Sequence, residues 1–78
     1  MIYGDALIVT EGRIRQTVTK EFETMKEAHA WRRYLMHRQR VLELDIRDED
    51  GDLIIHIDSE CIENYTPDGR LRRREWRR

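Results

Sequence analysis

The chain has a single cysteine, Cys61, so no disulfide can staple it from within. A lone thiol without an export signal predicts a reducing, cytoplasmic setting. Nothing around Cys61, neither a glycine-rich loop nor a helix start, would lower its pKa and activate it as a nucleophile. No stretch approaches the roughly twenty apolar residues of a membrane-spanning helix. Met1 to Thr10 also lacks the charged start and cleavage site of a signal peptide. Gly4, Gly12, Gly51 and Gly69 all sit in turn-like contexts, and neither a P-loop nor a nucleophile elbow appears. His29, His37 and His56 lack the i, i+4 spacing of a helical metal pair. These absences predict no catalytic residue, no metal and no cofactor.

What the chain does have is charge. Charged residues make up 40% of it, yet they nearly cancel, to a formal −1. Their placement is uneven. Residues 70–78 hold six arginines and one glutamate, a net +5, so the first 69 residues carry −6. Nine acids lie between Glu43 and Glu63 (Glu43, Asp45, Asp48, Glu49, Asp50, Asp52, Asp58, Glu60 and Glu63), against one base, Arg47. So much charge is compatible with disorder, but clear apolar periodicities argue for a folded chain. The length suits one small core, which predicts a single α+β domain over 1–69 and an Arg-rich tail over 70–78.

Thr24 to Arg40 is the one long helical pattern. Thr24 with Glu27 three residues on is a capping box. At about 100° per residue, Met25, Ala28, Trp31 and Leu35 share one face. Lys26, His29, Arg33, His37 and Arg40 fall opposite, as a basic ridge for an acidic or phosphate partner or as an ordinary solvated face.

Before the helix, Ala6 to Thr10 and Arg13 to Phe22 read as a hairpin turned at Glu11-Gly12. Gln16 and Lys20 fall on the inward side with Ile14, Val18 and Phe22, which suggests a partly covered edge strand. After it, Val41 to Arg47 alternates, with Leu42, Leu44 and Ile46 inward. Asp50-Gly51 suits a tight turn. Leu53, Ile55 and Ile57 then point inward, with Ile54, His56 and Asp58 outward. The expected fold is ββαββ: a small antiparallel four-stranded sheet, order 2-1-3-4, covered on one face by the helix 24–40. Beyond it, Pro67-Asp68-Gly69 signals a turn. That leaves two readings of the end: a short further strand or hairpin, or a mobile Arg-rich tail.

Asp48, Asp50 and Asp52 around Gly51 faintly suggest a calcium loop. The glycine sits at the fourth rather than the sixth position, between strands, so a hairpin turn is expected. The tail, with Arg70, Arg72, Arg73, Arg74, Trp76, Arg77 and Arg78, is the sharpest functional signal. Guanidinium groups bind phosphates bidentately, and an indole stacks on bases. Three readings follow: nucleic-acid binding, neutralisation of the acidic 43–63 segment in its own or a sister chain, and plain solubility. The uncovered sheet face would mix Arg13, Arg15, Thr17 and Thr19 with Glu43, Asp45, His56 and Asp58, without exposed aromatics. A mixed-charge face suits a protein partner better than RNA.

In format (tiny, highly charged, one helix on a small sheet, no catalytic motif) the chain resembles phage-encoded inhibitors, including anti-CRISPR proteins. That resemblance, with the charge pattern, implies a small non-catalytic protein that binds a larger protein, itself nucleic-acid-binding, through the nine acids from Glu43 to Glu63. The alternative is a nucleic-acid binder using Lys26, Arg33, Arg40 and the Arg-rich end. No membrane partner is expected, and open sheet edges leave a homodimer available.

Overall fold

The computed structural model describes residues 1–77. Arg78, one of the expected phosphate contacts, lies outside the described residues. The elements run β1 (Ile2–Thr10), a 3-10 turn (Glu11–Arg13), β2 (Ile14–Phe22), α1 (Met25–Arg38), β3 (Arg40–Arg47), β4 (Leu53–Ile57), β5 (Cys61–Tyr65) and β6 (Leu71–Trp76). All strand pairings are antiparallel, in the order β2-β1-β3-β4-β5-β6.

The sheet therefore has six strands, which corrects the expected four. The first four follow the expected order, and two more continue the ladder. The C-terminal segment forms the third hairpin, so the arginines belong to an edge strand. Its turn is built locally: the Thr66 carbonyl accepts from the Gly69 N–H at 3.0 Å, with Gly69 at φ 85°. Only glycine adopts that left-handed conformation without a steric cost. Sequence leaves this hairpin as one of two readings, because Cys-Ile-Glu-Asn-Tyr has little alternation and packs one residue, Ile62, against the core cluster.

The helix is shorter than expected. Thr24 caps it, accepting from the Glu27 N–H at 3.3 Å, and the Thr24 hydroxyl lies 3.5 Å from the Glu27 carboxylate. At the far end Gln39 turns extended while its N–H still bonds to the Leu35 carbonyl at 2.8 Å. Arg40, expected on the basic helix face, is instead the first residue of β3, paired with Val9. Ala28 and Leu35 are buried, with Met25 and Trp31 packed beside them, as the spacing predicts. The helix lies over β1, β2 and β3.

Two bulges reset the alternation. β1 pairs Leu7 with Glu43 but Ile8 with Val41, which leaves Leu42 as the extra residue. β3 pairs Ile46 with Ile55 but Arg47 with Leu53, which leaves Ile54 extra. One inserted residue reverses which side chains face the core beyond it. Val41 is thus buried where Leu42 was expected, and Ile54 packs on the core where Leu53 was expected. Leu44, Ile46, Ile55 and Ile57 form the fully buried centre. On β2 only Phe22 is buried and Ile14 is 63% exposed, as an edge strand with a weak apolar pattern should be.

Candidate functional site

The face of the sheet away from α1 holds most of the unexplained chemistry. Register sets one transverse row across it: Thr19 opposite Asp5, Asp5 opposite Asp45, Asp45 opposite His56, His56 opposite Glu63, and Glu63 opposite Arg74. Side chains at directly opposed positions share a face and lie close enough to interact.

His56 is the centre of this row. Its Nδ1 lies 2.5 Å from Asp45 Oδ1 and its Nε2 lies 3.2 Å from Asp58 Oδ2. Only a doubly protonated imidazolium donates to both carboxylates. The Asp45 hydrogen bond is the largest influence, and partial burial opposes it, so the His56 pKa stands above its ordinary 6.5. Asp58 is itself tied down: it accepts from the Cys61 and Glu60 N–H groups at 2.9 and 2.8 Å. Those backbone bonds, with His56 adding a smaller part, hold its carboxyl down at about 2. Glu43 completes a group in which the ligand atoms of Glu43, Asp45 and His56 lie within 4.8 Å of one another. With both ring nitrogens engaged by carboxylates, a cation at Nδ1 would have to displace the proton and the Asp45 contact.

The two shifts set opposite ends of a pH window. The raised His56 pKa contributes stability that is complete below the unfolded value and fades as pH climbs through the folded one. The depressed Asp58 pKa contributes stability that is complete above about 3.8 and fades as pH falls through about 2. A proton NMR titration is expected to place His56 above 6.5 and His29 below it. His29 is lowered by burial, then by Arg32 and Arg33. Asp45→Asn should draw the His56 midpoint back toward 6.5, and an unmoved midpoint would remove Asp45 as the cause.

The remaining acids separate into other groups. Asp48, Asp50 and Asp52 lie together at the β3–β4 turn. Asp48 Oδ1 there accepts from the Asp50 and Asp52 N–H groups at 3.0 and 2.9 Å, and Gly51 sits at φ 84°. That is a side-chain-supported turn. Glu49 faces the N-terminal ammonium at 3.7 Å, and Glu60 lies in the β4–β5 turn. The nine acids expected as one surface thus occupy the open face and two separate turns.

The arginines are largely occupied. Arg74 donates twice to Glu63, at 3.0 and 2.7 Å, and Arg73 pairs with Glu75 at 2.7 Å. Arg70 faces Asp68 at 3.4 Å. Arg77 donates to the Asp58 and Val41 carbonyls at 2.5 and 3.4 Å. Arg72 makes no ion pair among the described residues. Lys26 and Arg33 stand exposed on the outer side of α1, away from β6 in the sequence and joined to it by no ion pair among the described residues. Cys61 is buried, and burial with the Asp58 and Glu63 charges pushes its thiol pKa up. That is the opposite of an activated thiolate.

The sequence places His56, Asp45 and Asp58 on one outward face, but not in contact. Asp58 sits two residues away, on the same side of the strand, and was legible as a neighbour. Asp45 is brought in by hairpin register, which the sequence leaves loose. Asp5 was not singled out at all, because β1 begins at Ile2 rather than Ala6.

No family model matches the chain, and neither a curated protein nor a solved structure matches it.

Proposed function

We propose that this protein acts by binding, with no catalysis of its own, and that its acidic open face seats on a basic groove of a larger protein. The observation that carries this reading is the opposition of Asp5 and Asp45 in the middle of the sheet, with Glu43 beside them. Like charges placed directly opposite destabilise a sheet. His56 and Arg47 approach Asp45, but Asp5 and Glu43 have no ion-pair partner among the described residues. A cost that folding does not require suits a surface built for an oppositely charged partner. A groove that ordinarily takes nucleic acid has that charge. Occupying it would block or adapt the partner, as the shared format with phage-encoded inhibitors, anti-CRISPR proteins among them, also suggests. The pairing of the β6 arginines with acids of their own chain weighs against a free phosphate-binding tail.

Asp58 is a poor residue to reverse, since it holds the β4–β5 turn. Asp5→Lys with Glu43→Lys changes four charge units on exposed positions and relieves the Asp5–Asp45 repulsion. A pull-down with and without nuclease supplies the partner. Stopped-flow mixing should then show association slowed by about tenfold or more at low salt, the range electrostatic steering covers. An unchanged rate defeats the open-face reading. Capture lost on nuclease treatment would move the assignment to nucleic acid.

A further inference from the structure

A second surface lies at the other end of the molecule from Trp76. A groove of about 410 Å³ opens between the start of β1, the first turn of α1 and the β3–β4 and β5–β6 turns. Ile2, Met25, Leu53, Ile54, Tyr65 and Pro67 give it an apolar lining. Its rim is acidic, with Glu23, Asp48, Glu49 and Asp52. Apolar lining with an anionic rim selects for a large apolar side chain flanked by cations.

The chain itself carries such a group. Trp76 is 68% exposed, the most exposed of its large hydrophobic side chains. The Arg74 guanidinium carbon lies 5.7 Å from the indole centroid, and Arg77 follows in sequence. Arg74 is anchored by its two bonds to Glu63, and Trp76 is paired to Cys61 across the ladder. The indole is thus held on a rigid strand beside a fixed cation, which limits the entropy lost when it is buried.

Trp76 cannot fill the groove of its own chain. Tyr65 and Leu71 pair at the groove end of the β5–β6 hairpin, and Cys61 and Trp76 pair at the other. The steps from Leu71 to Trp76 along β6 separate the two ends by about 17 Å. Pairing of copies through their sheet edges is also disfavoured, because both edge strands are basic: Arg15 and Lys20 on β2, Arg72 to Arg74 on β6.

We propose that Trp76 of one copy seats in the acid-rimmed groove of a second copy. The contact is heterologous, head to tail, so it extends into short chains instead of closing as a two-fold dimer. The area involved is that of one indole with the Arg74 guanidinium against it, below that of a standard stable interface, so association is weak and concentration-dependent. Trp76 and Arg74 stand at the β6 margin of the open face, but the contact uses neither Asp5 nor Glu43, so it stands independently of the binding reading above.

The test is sedimentation equilibrium of the full chain over a wide concentration range. The mean mass is expected to rise above the monomer with concentration and to fall back with added salt. Trp76→Ala should remain monomeric, and so should Glu23→Lys with Glu49→Lys. The informative sample is an equal mixture of the two. The first variant keeps the groove and the second keeps the indole, so the mixture should form dimers that grow no further, doubling the mean mass of either variant alone. Circular dichroism confirms that each variant is folded, and Glu49→Gln replaces the double reversal if that one is not. Asp5→Lys with Glu43→Lys should self-associate like the parent, which separates this test from the previous one. A parent chain that stays monomeric throughout, or folded variants that fail to complement, overturns the proposal. A monomeric parent that still takes a foreign basic tryptophan peptide in the groove overturns it too and reassigns the groove to another protein.

Discussion

Leu44→Ala is expected to lower the unfolding free energy by about 2–5 kcal/mol, the range for emptying a buried leucine site. Leu44 has no exposed surface and sits between Ala6 of β1 and Ile57 of β4, under the helix. A small domain has only about 5–15 kcal/mol in total, so this one change removes a large part of it. The comparison with Leu42→Ala is sharper. Strict alternation along β3 makes Leu42 and Leu44 equivalent, yet the bulge opposite Leu7 and Ile8 lifts Leu42 out of the core. Leu42→Ala should therefore cost about 1 kcal/mol or less, and less than Val41→Ala, although valine is the smaller side chain. Urea denaturation of the three variants decides it. Equal losses at 42 and 44 would mean that β3 pairs without the bulge.

Gly4→Ala is expected to destabilise by about 1–3 kcal/mol, the usual cost of overpacking. A Cβ at Gly4 would stand 2.6 Å from Trp31 Cζ3 and 3.0 Å from both Phe22 Cε2 and Trp31 Cη2. The two rings are packed at 5.3 Å between centroids with a 54° tilt, so the indole has one neighbour to push against as it moves. Alanine also removes backbone freedom from the unfolded chain, worth about 0.4–1 kcal/mol in the opposite direction. The clash should outweigh it. In thermal unfolding, each kcal/mol corresponds to about 4–8 °C for a domain of this size. Trp31→Leu should recover part of the loss only in the Gly4→Ala background, a coupling that a double-mutant cycle measures. A Gly4→Ala chain as stable as its parent would show that Trp31 does not lie across β1.

Both predictions turn on what a linear reading passes over. Gly4 reads as a turn residue, because glycine usually punctuates strands. In the fold it is buried inside β1, where the absence of a side chain admits the indole. Leu42 reads as core because apolar and polar residues alternate around it. The Asp45–His56–Asp58 group shows the same limit: its members were visible as outward residues, but their convergence depends on which residue of β3 faces which residue of β4.

Local chemistry alone determined where the helix starts, since a threonine hydroxyl satisfies a backbone donor three residues away. It also determined the Asp50-Gly51 and Asp68-Gly69 turns, where glycine takes a left-handed conformation at no steric cost, and the buried stripe of α1, which follows from helical repeat. Those features depend on neighbours within about one turn of chain. Strand count, bulge positions and the partners of each charge were decided only in the tertiary structure. The Glu63–Arg74 pair lies within the third hairpin, but the hairpin extends the sheet because β4 offers it an unpaired edge, which is no property of residues 61–77 taken alone.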